Sequence, residues 1–159
     1  MRKINLRDIA ESTWSSPKGK FTGAGKGISE ELGREPFSTD LMKRHPFDVE
    51  LLRVPAGATP YPYHSHAAQW EFYHVLSGRG TMRDAEGMTP LEPGDSVLYP
   101  PNEPHQIIND GAEDLLDFVT ADNPFGESCY YPDSNKWLVR SPERRLLRGE
   151  ALDYLDGEE

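Results

Sequence analysis

The sequence predicts an all-β, single-domain protein, and three observations carry that prediction. Fourteen glycines and 14 prolines punctuate the 159 residues too often for long helices. Short runs rich in β-branched and aromatic residues recur at close spacing, separated by turn clusters. No internal repeat is visible, and the strands do not alternate with helical segments, so a sandwich or barrel is favoured over a βαβ fold. A domain of this length buries roughly two-thirds or more of the surface its unfolded chain exposes, so a core is available without covalent staples.

Residues 1–46 are polar and Gly-rich with weak periodicity, and they read as an N-terminal arm. One helical turn is expected at 28–32, ending at Gly33. The run Gly23-Ala24-Gly25-Lys26-Gly27 resembles a phosphate-binding loop, but that pattern needs Gly where Lys20 stands and Ser or Thr where Gly27 stands. It is read as a flexible loop. Residues 47–121 carry the barrel core, with strands expected at 47–54, 70–77, 80–83, 96–99, 106–109 and 115–121. Turn clusters at 84–87, 92–95 and 109–113 separate them. Residues 122–159 form a C-terminal extension that completes the barrel. Within it, Ser141, Pro142 and Glu143 offer the N-cap, first-turn proline and first-turn acid of a short helix.

Seventeen basic against 27 acidic residues leave a formal charge of -10. Such a surface repels phosphate backbones and anionic lipid, so no nucleic-acid or membrane partner is expected. The acidic end, Asp153, Asp156, Glu158 and Glu159, reads as solvated. Cys129 is the lone cysteine, so no intramolecular disulfide can form, and it is expected to be buried as a small apolar residue. The first residues carry no apolar core of a signal peptide and no long apolar run follows, so a cytoplasmic protein is expected.

The histidines point to chemistry. His64-Ser65-His66 puts two imidazoles on one face of an extended segment, because side chains there alternate with period two. Glu71 follows at the head of a β-patterned run, and His105 precedes another. Neutral imidazoles and one carboxylate suit a single divalent ion such as Mn, Fe, Co, Ni or Zn. Alternation from Glu71 places Tyr73 and Val75 on its face and sends Phe72 and His74 to the other. His74 is therefore read as a packing or interface residue, and His45, before Pro46, as structural or exposed.

The flanking residues resemble the two motifs of the cupin superfamily. The first is matched by Gly57, His64, His66, Glu71 and Gly78, with one extra residue between Gly57 and His64. The second is matched by Gly94, Pro100, Asn102, His105 and Asn109, with Asn102 where the family has Gly. Asn is the next most tolerant residue of a positive φ, so that departure is mild. The 15 residues between Gly78 and Gly94 suit the short spacer of small cupins. The resemblance implies a jelly-roll barrel, or double-stranded β-helix, with the ion inside on His64, His66, Glu71 and His105. Gln69 remains a polar neighbour or fallback ligand. Pro100 and Pro104 stiffen the loop that delivers His105, and the Asn109 side chain is expected to bond turn backbone.

Tyr61, Tyr73, Tyr99, Gln69 and Arg53 are candidates to line the barrel and touch a small-molecule ligand; Arg79 is weighed with Arg53 as a carboxylate clamp. The chemistry suggested is that of a metal-dependent enzyme on a small, polar, oxygen-rich molecule, of isomerase, dioxygenase or decarboxylase type. The alternative is a non-catalytic module that binds or senses a sugar or organic acid, since fold does not settle function. A metal-free epimerase is disfavoured by the full ligand set. A homodimer is also expected, with Trp14, Phe21 and Phe37 of the arm packing across a neighbouring barrel.

Overall fold

The alternation seen in the sequence closes into three antiparallel sheets. The structure is a computed structural model and describes residues 1–36, 38–140 and 143–158. The elements are β1 (Ser12–Ser15), β2 (Thr22–Gly27), α1 (Ile28–Glu31), α2 (Leu41–Arg44), β3 (Phe47–Val54), β4 (Ser65–His66), β5 (Glu71–Ser77), β6 (Gly80–Arg83), β7 (Met88–Leu91), β8 (Ser96–Tyr99), β9 (Gln106–Ile108), β10 (Leu115–Asp122), β11 (Ser128–Tyr131), β12 (Lys136–Val139) and β13 (Arg145–Leu147). The largest sheet runs β1-β2-β3-β10-β5-β8; the others run β13-β12-β11-β4 and β7-β6-β9.

Strand β10 shows most plainly why the barrel forms. Its residues alternate buried and half-buried along the whole strand, with Leu115, Asp117, Val119 and Ala121 facing inward. They meet Leu52 and Val54 of β3 and Tyr73 and Val75 of β5, and Met82, Leu91 and Ile107 of the three-stranded sheet close the core from the other side. Gly78 sits at the tight corner after β5 with φ 82°, where a Cβ would stand 2.3 Å from the Asp114 carbonyl oxygen. Asn102 takes φ 70°, as its place in the second motif requires. Asn109 is fully buried; its amide donates to the Val54 and Glu113 carbonyls at 2.8 Å each and accepts from the Gly111 N–H.

Several expectations need correction. The Gly23–27 run is strand β2, paired with β3, because glycine leaves room for the Trp14 ring: a Cβ on Gly23 would lie 2.5 Å from it. Trp14, one of the aromatic residues of the arm, stacks on Tyr61 of its own chain at 5.2 Å and donates to the Pro60 carbonyl. Strand β7 contains Pro90, which suppressed the strand signal; β7 is an edge strand, where a missing N–H is tolerated. Ser141 and Pro142, which were to open a helix, lie outside the described residues, as do Phe37 and Glu159; just beyond, Arg145–Leu147 is strand, held by pairing with β12. Cys129 is buried, as expected. Among the described residues, no helix is long and apolar enough to cross a membrane.

Candidate metal centre

Four side chains from three segments meet at one point. His64 precedes β4, His66 ends it, Glu71 opens β5, and His105 follows the Pro100–Pro104 loop. The ligand-capable atoms of His64, His66, Glu71 and His105 all lie within 4.8 Å of one another. Ring centroids are 5.0 Å apart for His64 and His66 and 4.9 Å for His64 and His105.

Each imidazole is oriented through its Nδ1. His64 Nδ1 donates to the Pro62 carbonyl at 2.8 Å and His105 Nδ1 to the Glu103 carbonyl at 3.1 Å, both two residues back in the chain. His66 Nδ1 instead reaches the Glu127 carboxylate at 3.0 Å. That leaves three Nε2 atoms turned to the shared point. His66 Nε2 is buried without a hydrogen-bond partner, 3.5 Å from Glu71 Oε1, and His105 Nε2 lies 2.8 Å from Glu71 Oε2. An orphaned buried nitrogen beside a carboxylate and two more imidazoles is the donor set a first-row divalent ion takes, so the residues fit such an ion.

The electrostatics differ among the ligands: at His66 burial is outweighed by the hydrogen bonds of Cys129, Glu127 and Glu71, which raise the imidazole to about 12, so an ion must displace a proton there. Burial pushes the His64 imidazole down to about 4, so it stays neutral and its lone pair available. Burial pushes Glu71 upward most strongly, but the hydrogen bonds and charges of His105 and His66 outweigh it and hold the carboxylate well below its usual range. Tyr73 donates to Glu71 Oε2 at 2.9 Å; burial and that charge raise its phenol well above the ordinary value.

The cluster opens on a cavity of about 330 Å³, lined among others by Tyr61, Gln69, Tyr73 and Tyr131. Its floor is Val119 and Ala121 of β10. Val119 lies opposite Glu50 on one side and Tyr73 on the other, and Ala121 opposite Asp48 and Glu71. Glu50 and Asp48 thus face the cluster across the apolar residues of the one intervening strand, β10. Burial, then the charges of Asp48 and Glu71, push the Glu50 carboxyl up to about 7.

Of the candidate lining residues, Tyr61, Tyr73 and Gln69 border this cavity. Two do not. Arg53 points away on the outer face of β3, where Glu11 and Asp114 hold it at 2.6 and 2.9 Å, because Leu52 and Val54 occupy the inward positions beside it. Tyr99 is buried behind the cluster with its ring flat against His105, centroids 4.1 Å apart, so it supports the ligand rather than lining the cavity. Arg79 is exposed and paired with Glu92. His74 lies outside the cluster with its Nδ1 2.9 Å from Ser96 Oγ. The residues missed from sequence are Glu50 and Asp48, which alternation from Leu52 and Val54 would have turned inward, and Glu127, which no local signal marks.

Residues 50–120 match the family model of the cupin domain. The chain contains a cupin domain. The barrel of this cupin superimposes on known structures over most of its length. A protein from Acidithiobacillus ferrooxidans described as a candidate sugar phosphate isomerase aligns with TM-score 0.80 at 22% identity, covering 95% of this chain and 96% of the other. A cupin-superfamily sugar phosphate isomerase from Silicibacter pomeroyi aligns with TM-score 0.77 at 22% identity, covering 96% and 98%. A predicted oxalate decarboxylase from Thermotoga maritima aligns with TM-score 0.63 at 21% identity, covering 77% of this cupin and all of that chain (100%). An uncharacterised protein of Methanocaldococcus jannaschii is 36% identical over 58 residues, a stretch spanning 36% of this cupin and 46% of that relative. These likenesses establish the jelly-roll fold of the barrel.

Proposed function

We propose that this cupin is a metal-dependent enzyme acting on a small, polar, oxygen-rich molecule, by proton transfer on a hydroxy-carbonyl compound of the sugar type. The observation that carries the proposal is the opening of the three-histidine, one-glutamate cluster onto a cavity of about 330 Å³ with an ionisable carboxyl, Glu50, on the opposite wall. That volume suits a small polar ligand. A divalent ion held by His64, His66, Glu71 and His105 supplies a Lewis acid for a carbonyl or hydroxyl oxygen.

The chain's own residues supply the rest. Val119 and Ala121 leave a smooth floor on which a short carbon chain can lie between the cluster and Glu50. With its carboxyl near 7, Glu50 can take up and return a proton close to neutral pH. Tyr73 holds its proton on the phenol oxygen and donates it to Glu71, fixing that carboxylate. Arg34 and Arg140 bring positive charge to a cavity that otherwise carries Asp48, Glu50 and Glu71. The names of the two structures with the highest similarity above favour isomerisation over decarboxylation.

The test is to incubate the metal-replete protein in deuterium oxide with aldoses, ketoses and their phosphates and follow the carbon next to the carbonyl by proton NMR. Deuterium should enter at that carbon. His105→Ala should abolish the exchange with loss of metal, and Glu50→Gln should slow it with metal retained. Saturable binding with no exchange or conversion of any of these compounds replaces the enzyme with a sugar- or acid-binding module. The proposal includes a homodimer, supported by exposed Phe72, Leu76 and Leu98 on the outer face of the large sheet; a monomer by light scattering at micromolar concentration removes that part.

A further inference from the structure

Glu127 lies beyond the matched domain, between β10 and β11, and is 4% exposed. Its carboxylate is fully engaged. Oε1 accepts from His66 Nδ1 at 3.0 Å and the Ala67 N–H at 3.2 Å; Oε2 accepts from the Ala68 and Gln69 N–H groups at 3.0 and 2.9 Å. His64 and His105 find their Nδ1 partner in the carbonyl two residues back. For His66 the nearer partner is instead an anion 61 residues away, with Cys129 Sγ at 3.6 Å from the same nitrogen.

We propose that Glu127 is a positioning residue of the metal centre: it holds His66 as the Nδ1–H tautomer with Nε2 facing the ion, and it ties down the 67–69 turn that leads to Glu71. The inference rests on the metal reading above and goes beyond it by giving the C-terminal extension a part in the site. A carboxylate behind an imidazole fixes its tautomer and ring angle and raises its basicity, more so than a neutral carbonyl. Because the same carboxylate binds the turn, two ligands, His66 and Glu71, are placed by one group.

A competing arrangement must be weighed. His66, Glu127 and Cys129 are all buried and their ligand-capable atoms also lie within 4.8 Å of one another, so they could hold an ion themselves through His66 Nδ1. Such an ion, taken through Oε1, would displace the His66 Nδ1–H bond and compete with the Ala67 N–H for the same oxygen. The same His66 cannot serve both sites with one protonated nitrogen.

The test uses cobalt(II) on the full chain. Wild-type protein should bind one equivalent and show a hyperfine-shifted, slowly exchanging proton for His66 Nδ1–H, without thiolate charge-transfer absorption from Cys129. Glu127→Gln should weaken cobalt roughly 10–100-fold and displace or speed exchange of that one proton, leaving those of His64 and His105 in place. Glu127→Asp should recover part of the affinity. Unchanged affinity and an unchanged His66 signal in Glu127→Gln overturn the positioning role alone. Thiolate absorption, or the absence of a protonated Nδ1 on His66, overturns it from the wild type even if the variant fails to fold. Wild-type protein that binds no cobalt overturns the metal reading itself, and this inference with it.

Discussion

His64 and His105 exchange both main-chain hydrogen bonds across a single antiparallel bridge. The His64 N–H donates to the His105 carbonyl at 3.1 Å, and the His105 N–H returns to the His64 carbonyl at 2.8 Å. Two residues of the candidate centre, one from each family motif, are therefore joined by backbone, and their rings stand 4.9 Å apart. A centre arranged in advance loses less entropy when an ion binds.

Each ligand should consequently be needed. His64→Ala, His66→Ala and His105→Ala are each expected to weaken a divalent ion by more than about 100-fold, beyond the cost of disturbing a supporting group. His74→Ala, outside the cluster, should leave affinity unchanged. Elemental analysis and calorimetric titration read both, and full retention of metal in a His64→Ala/His66→Ala double variant would refute the site.

Asp117 gives the fold a pH dependence. It is fully buried on β10 and neither carboxylate oxygen has a hydrogen-bond partner. Burial pushes its carboxyl from 3.8 up to about 7. A folded value above the unfolded one means the unfolded chain releases the proton first, so stability is fully present below pH ~4 and is lost as pH rises towards and through about 7. The loss is on the order of 4 kcal/mol. Asp117→Asn should flatten the dependence of the urea midpoint on pH between about 4 and 8. A slope equal to that of the wild type would rule this out.

The corner at Gly78 should tolerate no side chain. Gly78→Ala is expected to cost about 2 kcal/mol or more in chemical denaturation, from a left-handed backbone and a clash with the Asp114 carbonyl. At another left-handed position, Asn102→Gly should be neutral within about 0.5 kcal/mol and Asn102→Ala should cost about 1 kcal/mol. Equal costs for the two Asn102 variants would mean that φ is not what selects the residue there.

Deleting residues 1–46 should damage the barrel rather than merely release an appendage. The deletion removes β2, whose residues Ala24–27 pair with β3, and with it Trp14 from the face of Tyr61. It leaves β3 as an unprotected edge. The truncated chain should show faster amide exchange along β3 and aggregate on heating; wild-type protection of β3 would show that the N-terminal strands contribute nothing to the sheet.

The sequence by itself determined the strands that alternate most cleanly. The expected bounds 47–54, 80–83 and 96–99 are those of β3, β6 and β8, because side-chain period two is written in neighbouring residues. It also offered the four residues of the cluster as a set, through the resemblance of their glycines, prolines and histidines to the two cupin motifs. Where the sequence reading failed, the deciding partner was a side chain on another segment, near or far along the chain. Gly23 becomes strand because of the Trp14 ring, Tyr99 packs because His105 lies flat against it, and Arg53 turns outward to Glu11 and Asp114. Glu127 reaches His66 only because β11 pairs with β4, a juxtaposition across 61 residues that no local pattern encodes. Periodicity records which way a side chain faces; which group it meets there is settled by packing and by the pairing of strands remote in sequence.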